Sequence, residues 1–217
     1  MTARESESQK KIQEISALAL VAVLFLAASY LAQRYAGFFE RYVGNSLLGM
    51  LAYVFIVIVS IVIAPVSAVP LMPIATRLWG VAGSALLSIA GWTIGAGIAF
   101  QLGRIYGERL AKHVEGIEKV RKMSERIPES RVFLGVVLLR MLVPVDVLSY
   151  ALALSTKIKF TTYILATLIG VSPFAFVLAS LGKVPLKLQV IVVAIALAVF
   201  AAWRAVQGLT NNHKRKH

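Results

Sequence analysis

The sequence predicts an all-α polytopic membrane protein, with two opposed re-entrant hairpins in an inverted-repeat arrangement among about five to six transmembrane helices. Three observations predict it. Hydrophobic residues make up 59% of the 217 positions, well above the apolar share of a soluble domain. Two of the apolar stretches are interrupted by prolines and charge where a lipid-facing helix should be continuous. A short motif recurs after each interrupted stretch. The apolar runs follow one another closely, so residues 15–207 form one membrane domain between a polar N-terminal segment, 1–14, and a basic tail, 208–217.

Ile15 to Tyr30 is the first span, with Tyr30, Arg34 and Tyr35 placed to anchor it at the interface. It is read as a retained span, since no small-residue cleavage site follows it. A polar link, 40–46, leads to a Val- and Ile-rich run, 47–64, that ends at Pro65. The next stretch, APVSAVPLMPIATRLWG, carries Pro65, Pro70 and Pro73 yet is apolar apart from Arg77, and it ends at Gly80. Prolines so close together predict a broken, partly re-entrant element. Residues 81–102 form a clear span whose Gly91 and Gly95 stand four apart, the spacing that lets helix backbones approach closely in lipid.

Residues 103–131 carry eight Lys or Arg, with apolar residues near one helical face. This loop is either an amphipathic helix on the anionic leaflet or a solvated helical linker. Then comes VFLGVVLLRMLVPVDVLSYALAL, 132–154, as apolar as a span but with Arg140, Pro144 and Asp146 near its middle. An Arg or Asp at bilayer depth costs roughly 2.5–3.5 kcal/mol on insertion scales, and proline removes a backbone donor where no water can replace it. The stretch is therefore read as a second re-entrant hairpin. Spans over about 160–181 and 188–206 complete the domain.

Charge fixes an orientation. The basic loop and the tail NNHKRKH should both be cytoplasmic. They are so if 132–154 enters and leaves on one side, but not if it crosses. The net charge of +13 thus reads as a topology signal and not as a nucleic-acid surface. With no cysteine and three scattered histidines, nothing implies a metal, a cofactor or a disulfide. No nucleophile–base set appears, so no enzyme is expected.

Ser88-x2-Gly91-x11-Gly103-Arg104 matches Thr167-x2-Gly170-x11-Gly182-Lys183. The orientation above runs the two copies in opposite directions across the bilayer, the pattern of inverted-repeat transporters.

Three features resemble the DedA family, within the broad superfamily sharing the VTT domain. They are Leu78-Trp79-Gly80 with Gly83 and Phe100-x2-Gly103-Arg104-x2-Gly107; Arg140-x3-Pro144-x-Asp146-x2-Ser149-Tyr150; and Phe160 with Thr167-x2-Gly170-x2-Pro173 and Gly182. The resemblance covers about residues 45–185 in order and spacing. It implies two facing re-entrant hairpins and movement of phospholipid or polyprenyl-phosphate head groups between leaflets. Three departures stand out. The first hairpin, 64–80, holds no Asp or Glu, and Asp146 stands where a second Arg is expected, which speaks against proton coupling through the first hairpin. Ala153 also stands where a glycine is expected.

The expected head-group path comprises Arg140, Asp146, Pro144, Ser149, Tyr150 and Arg77, with a guanidinium suited to binding phosphate oxygens bidentately. Each has a plainer reading: Arg140–Asp146 as a structural ion pair, Arg77 as a snorkelling residue, Ser149 and Tyr150 as helix-to-helix donors. Gly91, Gly95, Gly103, Gly170 and Gly182 are read as packing residues, and Pro65, Pro70, Pro73, Pro144 and Pro173 as backbone breakers. The expected partners are membrane lipids with anionic or phosphate head groups, and a homo-oligomer stays open. The expected location is the plasma (inner) membrane of a prokaryote, with the C-terminus cytoplasmic. The alternative function is an ion- or proton-coupled secondary transporter of a small solute. A protein acting only through partners is the third reading.

Overall fold

The computed structural model describes residues 3–42, 44, 46–63, 67–111, 128, 131–142, 145–154 and 158–214. For 3–15, 17–18, 39, 107–111, 141–142, 145–147, 151 and 201–214 it describes the backbone alone. All regular structure among these residues is helical. Pro65, Pro144 and most of the basic loop lie outside them, as does the side chain of Asp146.

Helix α1 (Ala3–Arg34) begins within the segment the sequence marks as a polar lead. The chain then bends by 76° between the apolar part of α1 and α2 (Ala36–Tyr42). Ser46 caps α3 (Leu47–Val62), its hydroxyl accepting from the Gly49 amide at 3.1 Å. The chain is non-helical at 63 and 67–68, and a single 3-10 turn (Val69–Leu71) then leads into α4 (Met72–Ala111). Pro70 and Pro73 do not break this segment. They occupy the 3-10 turn and the first turn of α4, where the missing amide has no intrahelical partner to lose.

The break in α4 is at Gly80, with φ 70° and ψ 178°, a region essentially reserved for glycine. It divides α4 into a short arm, 72–79, and a long arm, 81–111. Across the bend, Thr76 Oγ1 lies 2.9 Å from Ser84 Oγ, and the Ser84 hydroxyl lies 2.8 Å from the Gly80 carbonyl it donates to. Trp79 Nε1 donates to the Gly44 carbonyl at 3.1 Å, tying the bend to the α2–α3 link. Gly80→Ala is expected to destabilise the protein by about 1–3 kcal/mol. Helical, uncrowded Gly37 is the control, where alanine should be neutral or stabilising by up to ~1 kcal/mol. Thermal unfolding of the solubilised variants measures both.

The second half repeats this plan. Helix α5 (Val132–Leu142), the short α6 (Val145–Ala153) and the long α7 (Phe160–Lys183) follow in turn, with the chain non-helical at 154 and 158–159 between the last two. Pro173 does not break α7, which runs through it unbroken; surrounding helices satisfy backbone freed by such prolines. Pro185 then precedes α8 (Leu186–Lys214).

The long arm of α4 and α7 form the central pair. Trp92 faces Phe174 with ring centroids 6.0 Å apart, whereas Phe100 faces Phe160 and Tyr163. The two helices therefore run antiparallel. Helices α3 and α6 pack on α4, α5 packs on α7, and α1 packs on the 3-10 turn, α4 and α8. One core gathers around Val57, Met72, Trp92 and Val171, and a second around Phe100, Val136, Leu148 and Tyr163. Large apolar side chains also cover the outside, including Ile94, Ile98, Leu165, Ile169 and Val177. Val69–Tyr106 and Phe160–Lys183 are both long and apolar enough to cross a bilayer. Outward apolar faces on such helices meet lipid, and the protein is a helical membrane protein.

Candidate functional site

The site is built on one face of α7. Tyr163, Thr167 and Gly170 stand at i, i+4 and i+7 and share that face. Gly170 lets α5 close in: a β-carbon there would sit 2.7 Å from Arg140 Cβ and 3.2 Å from the Val137 carbonyl oxygen. The Arg140 side chain is thereby laid along α7, with only 5% of its surface exposed.

Its guanidinium joins three elements. Nε donates to Thr167 Oγ1 at 3.2 Å, and Nη2 donates to Ser149 Oγ at 3.1 Å and to the Tyr163 hydroxyl. Its Cζ lies 5.0 Å from the Tyr163 ring centroid, within cation–π range. The Tyr163 hydroxyl in turn donates to the Ala96 carbonyl at 3.1 Å, and its ring stacks on Phe100 at 4.2 Å. Arg140 thus holds α5, α6 and α7 together and reaches the long arm of α4 through Tyr163. Tyr163→Phe keeps the stack but removes one acceptor and one donor. It is expected to cost about 1–3 kcal/mol, measured as a drop in the unfolding temperature.

The first half carries a neutral counterpart. Ser84, Ser88 and Gly91 have the same spacing on the long arm of α4. A β-carbon at 91 would meet Val57 Cγ1 at 2.7 Å and the Val54 carbonyl oxygen at 3.4 Å. Val57 therefore holds against Gly91 the place that Arg140 holds against Gly170. Around it, Tyr53 Oη and Ser88 Oγ lie 2.7 Å apart, and Ser88 donates to the Ser84 carbonyl at 2.7 Å.

The later glycines of the repeat bind the halves to each other. A β-carbon at Gly103 would sit 2.6 Å from Ala153 Cβ on α6, and one at Gly182 would sit 3.1 Å from Pro73 Cα on the short arm of α4. Each long helix is thus seated on the other half's short helix. Gly95 similarly seats the long arm against Ile58 and Ile61 of α3.

The residues singled out in the sequence, on the expected path and in the repeat motif, separate into different places. Ser149 joins Arg140. Tyr150 instead donates to the Val62 carbonyl at 2.7 Å, at the end of α3. Arg104 donates to the Ile158 carbonyl at 2.6 Å, with its Cζ 5.1 Å from the Phe100 ring centroid. Arg77 lines a separate cleft with Thr76, Gly80 and Lys183. Asp146 has its backbone in the first turn of α6, but its pairing with Arg140 falls outside the described residues. Tyr163 is the residue of this cluster that the sequence reading omits. Its signal was the polar stripe Tyr163, Thr167, Gly170, which extends the repeat one turn beyond the Thr-x2-Gly motif.

The sequence model of the VTT domain matches residues 65–184, from the break before the 3-10 turn to the end of α7. No curated protein and no solved structure matches the chain. The match covers more than half of the 217 residues and takes in the Gly80 bend, both long helices and Arg140. The chain belongs to the VTT-domain family, the DedA/SNARE-associated domain.

Proposed function

We propose that the protein moves phosphate-bearing lipid head groups between leaflets, without covalent chemistry, along a path between two opposed re-entrant elements. The observation that carries this reading is Arg140: a guanidinium buried within the helical assembly and held by side chains from α6 and α7. An always-charged fork at membrane depth can offset the desolvation of a phosphate, which otherwise opposes crossing.

The packing supports an inverted repeat. Each half carries a helix, a short helical segment and a long helix in that order, and the two long helices run antiparallel. Gly91 meets α3 as Gly170 meets α5, and the contacts of Gly103 and Gly182 are reciprocal. In this reading about five to six helices enter the bilayer. The basic loop and the C-terminus lie on the cytoplasmic side of a prokaryotic plasma membrane, and Arg140 stands nearer the cytoplasmic end of α7.

The near-complete burial of Arg140 favours one second reading, an ion- or proton-coupled solute transporter caught with its site occluded. Leaflet exchange in proteoliposomes separates the two. With fluorescent phospholipid and dithionite, the lipid reading expects wild type to expose both leaflets to quenching, without any ion gradient. If wild type exposes only the outer leaflet, the reading fails for ordinary phospholipids, and polyprenyl phosphate is the next probe. Flux that appears only under an ion gradient supports the transporter.

A further inference from the structure

A second polar site lies at the other end of α7. Sixteen residues separate Thr167 from Lys183, which at 1.5 Å per residue is about 24 Å along the helix. There the end of α1, the α2 elbow, the short arm of α4 and the end of α7 enclose a cleft of about 550 Å³, within the size range of small-molecule sites. Its polar lining includes Gln33, Glu40, Thr76, Arg77 and Lys183.

The side chains of Arg77, Lys183 and Glu40 are exposed and, among the described residues, make no hydrogen bond or ion pair. The repeat makes this notable. Lys183 corresponds to Arg104, whose guanidinium is engaged by the Ile158 carbonyl and the Phe100 ring. One copy of the Gly-cation motif is closed by protein contacts, whereas the other presents its cation to an open cleft. Arg77 adds a second cation, and Glu40, from α2 and outside the VTT match, adds a carboxylate that forms no ion pair with either among the described residues.

From this charge pattern we infer that the cleft binds a zwitterionic phosphodiester head group of a membrane lipid, with Arg77 and Lys183 taking the phosphate and Glu40 the ammonium. Two cations on a phosphate give charge-assisted hydrogen bonds, and a carboxylate in the same cleft disfavours a head group that is only anionic. The inference deepens the lipid reading and rests on it for the approach of the ligand from the bilayer.

The test is lipid retention by the full-length, detergent-solubilised protein in native mass spectrometry, with phosphatidylethanolamine and phosphatidylglycerol in competition. Wild type is expected to prefer the ethanolamine lipid by about tenfold, the effect of one charge-assisted contact. Glu40→Gln should bring that preference to about twofold or less, and Arg77→Gln with Lys183→Gln should weaken both lipids by about tenfold. All three side chains are exposed, so unchanged unfolding temperatures show that the variants fold. Equal retention by wild type and the double variant would overturn the site, and an unchanged preference in Glu40→Gln would overturn the zwitterion. Binding of free glycerophosphoethanolamine as tightly as the lipid would overturn the lipid source. Leaflet exchange is scored on the same proteins. If binding follows the expected pattern while wild type exchanges no lipid, the cleft stands and the translocation reading fails; if exchange proceeds without that pattern, the reverse holds.

Discussion

Arg140→Met should leave a folded protein that no longer moves lipid, and Arg140→Ala should lose both exchange and stability. The two substitutions separate the charge from the space it fills. Alanine removes the guanidinium together with the methylenes packed against Gly170. It leaves a cavity and strips three hydroxyls of a charged donor, for an expected loss of roughly 2–5 kcal/mol. Methionine restores most of the volume. Tyr163 still donates to the Ala96 carbonyl, while Ser149 and Thr167 can turn to backbone carbonyls of their own helices. Methionine loses the charge-assisted hydrogen bonds but leaves no large cavity, so Arg140→Met should cost about 1–3 kcal/mol, less than alanine. Lysine keeps the charge but lacks the planar fork that reaches Thr167 and Ser149 together; it should retain partial exchange. Unfolding temperature and dithionite-accessible probe, measured on the same preparations, decide the matter. A Met variant that exchanges lipid at the wild-type rate would make Arg140 a structural clasp and remove it from the path.

What the sequence made legible followed from costs that are large at membrane depth. A buried Arg and a proline inside an apolar run cannot be placed in lipid cheaply, so the stretch 132–154 reads as interrupted from the sequence alone; residues 143 and 144 themselves lie outside the described residues. The break at Gly80 was harder to locate. Prolines drew attention to 65–73, yet Pro70 and Pro73 fit the start of a helix, and the bend falls on a glycine whose φ is positive. Proline acts at the first turn by what it lacks, and sequence alone does not say which residue is N1. Pro173 misled in the opposite direction, because neighbouring helices tolerate a proline in a long span. The grouping of site residues depended on helix rotation. Arg77 and Arg140 were both legible as costly charges, but only the fold separates them into a cleft at one end and a buried cluster toward the other. Tyr150, adjacent to Ser149, turns away to Val62 because successive helical positions point about 100° apart.

The swap of Gly103 and Ala153 should reveal how strongly the halves depend on each other. With a glycine expected by resemblance at 153 and alanine present, the contact has its only β-carbon on the α6 side. Gly103→Ala would put a second one 2.6 Å from Ala153 Cβ and 3.4 Å from the Tyr150 backbone, far inside the 3.5–4.0 Å optimum for carbon contacts. Neither methyl can rotate out of the way, so α6 must shift, at about 1–3 kcal/mol. That shift would also disturb Ser149 and Tyr150, and with them the contacts to Arg140 and to the end of α3. Ala153→Gly alone should cost about 0.5–1 kcal/mol through helix propensity. The double variant moves the single β-carbon to the other helix and removes the clash. Its stability should recover to within about 1 kcal/mol of wild type, for a coupling of about 1–3 kcal/mol in a double-mutant cycle. Additive losses would show that the long arm of α4 and α6 do not touch at these positions in the membrane. Rescue of stability together with exchange would establish that the contact between α6 and the opposite half holds the Arg140 cluster in working order. Stability rescued without exchange would assign the glycine face a role in movement between the halves, since the smaller residue then matters on the α4 side in particular.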